Sequence, residues 1–227
     1  MNKGKNIEAT FCFVDIAGYT ALTDSHGEVA AADLIDDFSE LIRLSIKPPG
    51  QIQELIGDCA FLIFPDPFIA IDALSNLYKV IANRASFPIV RAGLHHGSAL
   101  LRENRYFGST INLAARVAAQ AKGGQILGTK QIVEIFSQAG KSDIEVDHQG
   151  VFSLKNFPQP VDLYEILLSG FTHDYAIDPV CKMQVDKRQA VGELHFKGNK
   201  YWFCSLSCVE RFSKEPASYI QLDSSKT

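Results

Sequence analysis

Two aspartates in this sequence stand where an acid is expensive. Asp15 closes the apolar run of "FVDIAGYT", and Asp58 sits at the turn inside "QELIGDCAFLIF". Carboxylates beside buried strands are costly unless something pairs with them. On adjacent strands, two such acids make a natural seat for Mg²⁺ or Mn²⁺, hard cations that take oxygen ligands and also phosphate oxygens. Taken singly, each aspartate reads better as a plain turn cap, and it is the pair that suggests a cation. A second polar pair, Asn112 and Arg116, is spaced four apart and so projects from one helix face. Such a pair is often only a solvated stripe, but the flanking Ile111, Ala115 and Ala118 would let a ligand or partner come close. A third cluster, Cys181, Cys204 and Cys208, points to a metal site or redox chemistry in a reducing compartment. Cys12 and Cys59 lie in apolar runs and read as small buried thiols.

The elements that must hold these residues follow from periodicity. A strand is expected over Ile7 to Ile16, and a helix in "GEVAAADLIDDFSELIRLSIK" with Ala30, Leu34, Phe38, Leu41 and Ser45 on one face. Pro48-Pro49-Gly50 ends that helix, and a hairpin turning at Gly57-Asp58 follows. Asp66-Pro67 is an N-cap and first-turn pair for a helix whose face is Ile71, Leu74, Tyr78 and Ile81. "FPIVRAGLHHGSALL" reads as a strand ending near Gly97, with His95 and His96 as ordinary strand residues. After a polar loop come an Ala-rich helix closed by glycines, a short strand in "GQILGT", a helix over Lys130 to Gln138 and a terminal hairpin. Strands and helices mix without regular βαβ units, which predicts an α+β fold with a mainly antiparallel sheet.

The chain of 227 residues is 46% hydrophobic and 21% charged, enough for one large domain and a small one. Its net charge of −4 gives no support for nucleic-acid binding. No apolar run reaches the roughly 20 residues of a membrane span, and the polar start "MNKGKNIEAT" has no signal-peptide character. The expectation is therefore a cytoplasmic protein without membrane or nucleic-acid partners. Composition changes after Gly170, and a segment so short needs a staple to fold.

"FCFVDIAGYTALT", "IGDCAFLIF", "RAGLHHGSALL", "YFGSTINLAARV" and "GGQILGT", in that order, resemble the catalytic domain of class III nucleotidyl cyclases. The resemblance spans about residues 7 to 168, and "LKNFPQPVDLYEI" resembles the family's closing hairpin. It implies a ferredoxin-like domain acting as a head-to-tail homodimer with interfacial sites. Asp15, Asp58 and the carbonyl of Ile16 match the ligands of Mg²⁺ or Mn²⁺. Asn112 and Arg116, from the other subunit, match the groups that orient the ribose and stabilise transition-state charge, and Lys155 is a weaker match for a triphosphate contact. The implied reaction turns a purine nucleoside triphosphate into a cyclic 3′,5′-nucleotide and pyrophosphate.

The sequence departs from the adenylate-forming branch at the two positions that select the base. Those positions hold Glu54, four before Asp58, and Arg105, seven before Asn112, in place of the usual lysine and aspartate. Glu54 matches the guanylate-forming branch, and an arginine can donate to guanine O6 and N7. The expectation is GTP over ATP. The alternative is a catalytically inactive cyclase-fold dimer that serves as a metal- or redox-responsive binding protein.

"DPVCKMQV" followed by "YWFCSLSC" resembles the YHS domain, a small treble-clef-like metal module. The division expected is a cyclase domain over 1–169, a linker at 170–176, a YHS domain over 177–221 and a tail at 222–227. Three thiolates suit Zn²⁺ or Cu⁺, with His195 as a candidate fourth ligand, and the module would sense metal or redox state to regulate the cyclase. Reduced structural thiols without metal are the competing reading.

Overall fold

The structure, a computed structural model, describes residues 4–84, 86–140, 144–168 and 175–220. The first half runs β1 (Lys5–Ile16), α1 (Tyr19–His26), α2 (Glu28–Ser45), β2 (Gln51–Ile56), β3 (Cys59–Phe64), α3 (Pro67–Ala82) and β4 (Val90–Arg102). Then come β5 (Arg105–Phe107), α4 (Ser109–Gln120), β6 (Ile126–Thr129), α5 (Lys130–Gln138), β7 (Glu145–Phe152) and β8 (Val161–Leu167). The C-terminal part holds β9 (Ala176–Ile177), β10 (Gln184–Val185), β11 (Gly192–Phe196), β12 (Asn199–Phe203), α6 (Leu206–Lys214) and α7 (Pro216–Tyr219). The expected linker lies outside the described residues as far as residue 174, as does the tail at 222–227.

The large sheet has the order β2-β3-β1-β4-β6-β8-β7, with β5 paired to β4, and only β4 and β6 run parallel. The predicted α+β class with a mainly antiparallel sheet is what forms. Alternation along the central β1 explains the layering. Cys12, Val14 and Ile16 point into a core built with Leu34 and Phe38 of α2, Leu74 of α3 and Phe136 of α5. Ala9 and Phe11 point to the opposite face, where Ala114 of α4 covers them. Asp15 falls on the α4 side, two residues beyond Phe13, whose ring stacks on Phe61 at 4.6 Å.

One close approach fixes α4. A Cβ at Gly93 would lie 2.0 Å from the backbone nitrogen of Ala118, so only glycine lets the helix rest on β4.

Local expectations are met with three differences. Asp66 caps α3 by accepting from the backbone N–H groups of Phe68 and Ile69 at 2.9 and 3.0 Å. The buried stripe of α2 steps through Ala31, Leu34, Phe38, Leu41 and Ile42, which leaves Ala30 exposed and Ser45 half-buried. β4 runs on past Gly97 to Arg102, because Glu103 and Asn104, at φ 49° and 60°, form a tight turn that brings β5 back onto it. The third difference is α1, a helix of eight residues not expected from periodicity, with Leu22 as its buried side chain.

The C-terminal module does not stand apart. Val180, Cys181, Phe203, Cys208 and Phe212 belong to the same buried cluster as α2 and α3. Its backbone also pairs with the segment leading into β4. Ser86 N–H donates to Gln184 O at 3.2 Å, Gln184 N–H to Phe87 O at 3.0 Å, and Ile89 N–H to Lys182 O at 3.3 Å. The buried Gln184 side chain adds a bond from Nε2 to Ile81 O at 3.1 Å. No helix among the described residues is long and apolar enough to cross a membrane.

Candidate active site and metal centre

Strand register brings the first acids together. Asp15 lies opposite Cys59 on β3 and opposite Arg91 on β4, and Asp58 immediately precedes Cys59 in the hairpin turn. Ile16 N–H donates to Asp58 O at 3.1 Å, which ties the turn to the end of β1. Burial and the adjacent Asp15 carboxylate push the Asp58 carboxyl above its ordinary range. Two crowded carboxylates of this kind fit a hard divalent cation, whose charge would relieve the repulsion. One oxygen of Asp15 is held by Arg91, with Nε at 2.8 Å and Nη2 at 2.5 Å. Burial, then the Asp15 and Asp58 carboxylates, push the Cys59 thiol up to about 12, so it stays a thiol at neutral pH.

Glu54 on β2 and Arg105 on β5 line one cavity of about 450 Å³, together with Gln53, Phe61, Tyr106 and Phe107. Glu54 and Arg105 thus face a common space, rimmed by aromatic rings. Asn112 and Arg116 are exposed on α4, and Lys155 is exposed in the turn after β7. None of these three side chains makes a hydrogen bond or ion pair among the described residues.

The two strand histidines are structural. His95 is buried against Thr129, Nδ1 to Oγ1 2.8 Å, and burial with the neighbouring His96 lowers it to about 4. His96 is held by Thr10 Oγ1 at 2.9 Å.

The thiol cluster differs from expectation in its fourth member. His195 is exposed on the β11–β12 hairpin, opposite Lys200, because strand alternation turns it away from Phe196 and Leu194, which pack inward. The histidine that joins the cysteines is His26, the last residue of α1. Ligand atoms of His26, Cys181, Cys204 and Cys208 all lie within 4.8 Å of one another. Cys181 Sγ is 3.3 Å from Cys204 Sγ, and Cys204 Sγ is 3.9 Å from Cys208 Sγ. His26 Nε2 stands 3.5 Å from Cys204 Sγ and 3.9 Å from Cys208 Sγ.

Asp178 organises the knuckles. Wholly buried, it accepts from Val180 N–H at 2.8 Å and Cys181 N–H at 3.4 Å through one oxygen, and from Cys204 N–H at 2.9 Å through the other. Ser205 caps α6 by accepting from Cys208 N–H at 3.2 Å. Hydrogen bonds from the Cys181 and Cys204 thiols lower Cys208 far below an ordinary thiol. A thiolate-rich set with one imidazole suits a thiophilic ion and not Mg²⁺.

Comparison with known proteins adds a family to this geometry. Residues 1–168 match the family described as the adenylate and guanylate cyclase catalytic domain, and residues 176–223 match the YHS domain. A pH-sensitive adenylate cyclase of Mycobacterium tuberculosis is 33% identical over 140 residues, which is 60% of this chain and 34% of that protein. An uncharacterised protein of Mycobacterium bovis is 31% identical over 155 residues, 68% of this chain and 40% of its own length. The chain thus matches well under half the length of these curated relatives. Among solved structures, the adenylyl cyclase CyaB from P. aeruginosa superposes with a TM-score of 0.61 at 24% identity, covering 74% of this chain and 97% of that one. The guanylyl cyclase Cya2 superposes with a TM-score of 0.59 at 17% identity, covering 76% and 98%. At such identities the superpositions establish the fold.

Proposed function

Since the chain belongs to the adenylate and guanylate cyclase catalytic domain family and carries a YHS domain behind it, we propose that it is a nucleotidyl cyclase working as a homodimer. The ribose 3′-oxygen attacks the α-phosphorus, the bond from that phosphorus to the β-phosphate bridging oxygen breaks, and pyrophosphate leaves as the 3′-hydroxyl proton is lost. The observation that carries the reading is the convergence of Asp15 and Asp58, by register, at one end of β1. When bound there, a divalent cation would supply positive charge to the phosphates and would acidify the 3′-hydroxyl. Asp15, Asp58 and the Ile16 carbonyl would hold that cation. Asn112 orients the ribose, and Arg116 places fixed positive charge beside the phosphoryl oxygens as they gain charge. Both come from the partner protomer, which is consistent with their exposure on α4 and lack of partners among the described residues. Lys155 contacts the triphosphate.

The substrate proposed is GTP over ATP. Glu54 can accept from guanine N1–H and the 2-amino group, and Arg105 can donate to O6, and both face the same cavity. The YHS module is proposed as a metal-dependent regulator of the cyclase.

The experiment is turnover of GTP and of ATP with Mn²⁺, read as cyclic nucleotide and pyrophosphate. Asp58→Ala should lower product formation by about a thousandfold, the scale of several kcal/mol of metal-borne stabilisation. Product formation that survives Asp58→Ala, or no product from the parent with either nucleotide, would overturn the reading in favour of a silent binding protein.

A further inference from the structure

The histidine in the thiol cluster belongs to the other domain. An ideal tetrahedron with Zn–S of about 2.3 Å and Zn–N of about 2.0–2.1 Å has edges of about 3.8 Å between sulfurs and about 3.6 Å between sulfur and nitrogen. The S···S distances of 3.3 and 3.9 Å and the S···N distances of 3.5 and 3.9 Å bracket those edges. These four edges lie within about half an ångström of the ideal, and the other two, Cys181 to Cys208 and Cys181 to His26, lie within 4.8 Å.

The element carrying His26 starts at the active site. α1 begins three residues after Ile16, and the small domain holds the helix near both ends. At its start, a Cβ on Gly18 would lie 2.7 Å from Lys182 Cγ and 3.7 Å from the carbonyl oxygen of Cys181, itself a cluster member. At its end, Arg211 Nη2 donates to Asp24 O at 2.5 Å, satisfying a terminal carbonyl of α1, while His26 meets Cys204 and Cys208. A cavity of about 600 Å³ beside the loop is walled by Gly18 and Arg91 from one domain and by Lys182 and Tyr219 from the other. Arg91 is the same residue that grips Asp15.

We propose that His26 is the fourth ligand of an interdomain Cys₃His site for a thiophilic divalent ion of the Zn²⁺ class, and that the ion braces α1 and with it the Asp15–Gly18 segment of the active site. Occupancy of the thiol site and occupancy of the Asp15/Asp58 site are then linked, and each ion alters the affinity of the other by the same factor. The ligand assignment is independent of the proposed cyclase activity. The coupling rests on the reading of Asp15 and Asp58 as metal ligands.

The test uses the full chain, reconstituted with Co²⁺ or Zn²⁺ as probes. The parent should bind one Co²⁺ with a tetrahedral ligand-field spectrum and thiolate charge-transfer bands. His26→Ala should weaken Zn²⁺ binding, in competition with a chelator, by at least about 100-fold, more than the loss typical of an outer-shell partner. It should also alter the Co²⁺ bands. His26→Cys should restore tetrahedral binding with a stronger charge-transfer signature, and His195→Ala should leave binding and spectrum as in the parent. Unchanged affinity and spectrum in His26→Ala, or their loss in His195→Ala, would overturn the ligand assignment. For the coupling, Zn²⁺ should slow hydrogen exchange across residues 19–26 and shift Mn²⁺ affinity in the parent, and do neither in His26→Ala. Equal shifts in the two proteins would overturn the brace, whether or not either protein turns over nucleotide.

Discussion

Arg91 directs two nitrogens, Nε and Nη2, at a single oxygen of Asp15, Oδ2, from the directly facing position on β4. Oδ1 of Asp15 takes no bond from Arg91. The guanidinium offsets part of the charge that crowds the hairpin turn, and its Nη1 also donates to Ala121 O at 3.3 Å, behind α4. Replacing Arg91 by Gln should therefore destabilise the cation-free protein by about 1–2 kcal/mol, a modest figure because both side chains keep some exposure. Saturating Mn²⁺ should recover much of that loss, since a cation would take over the screening. Urea unfolding with and without Mn²⁺ checks this, and equal Mn²⁺ stabilisation of parent and variant would contradict it.

Base selection should move with two residues. Glu54→Lys combined with Arg105→Asp replaces a guanine-matched acceptor and donor by the opposite pair. Each lost or mismatched base contact is worth about 1–3 kcal/mol. The GTP-to-ATP ratio of kcat/KM should fall by about 10-fold to 100-fold or more, with ATP turnover rising. A ratio that stays put would remove these residues from the base pocket.

Gly93→Ala is expected to be severe for its size. The added methyl would strike the backbone of Val117 and Ala118, which cannot swing aside as a side chain can. A loss of about 3 kcal/mol or more is expected. α4 should be displaced, and Asn112 and Arg116 with it, so activity per folded molecule should fall as well. Thermal denaturation and turnover measured on the same sample separate the two effects.

His95 predicts a pH dependence of stability. Its folded value lies at about 4, against an ordinary value near 6.5, so the unfolded chain binds the proton more readily. Stability is fully present above about pH 6.5 and is lost as pH falls toward 4, by up to about 3 kcal/mol from this group. His95→Gln should flatten that segment of the profile, through hydrogen bonding to Thr129 without titration. Urea midpoints at pH 7 and pH 4.5 for the two proteins are the measurement.

Much of the larger domain was legible because its signals are local. An acid at the end of an apolar strand, an acid in a glycine turn, and Asn112 and Arg116 one helical turn apart all announce themselves in short windows. The fourth member of the thiol cluster does not. His26 precedes Cys204 by 178 residues and sits on a helix where Ser25 and His26 itself occupy the positions after Leu22 at which an amphipathic pattern would need apolar residues. Sequence proximity favoured His195, yet the two-residue period of β11 carries that ring to the solvent side. Nor could spacing reveal that Phe203, Cys208 and Phe212 share a core with α2 and α3, since that depends on Gln184 and its neighbours pairing with the strand approach at 86–89.

Placing one member of the cluster on α1 also limits how these two halves can be exchanged. Residues 176–223 on their own carry the three cysteines and no His26. Grafted onto another cyclase without a histidine in that place, the same module would arrive one donor short. Heredity therefore acts on the pair: a substitution at residue 26, in a segment with no thiol of its own, is felt by a domain that begins 150 residues later.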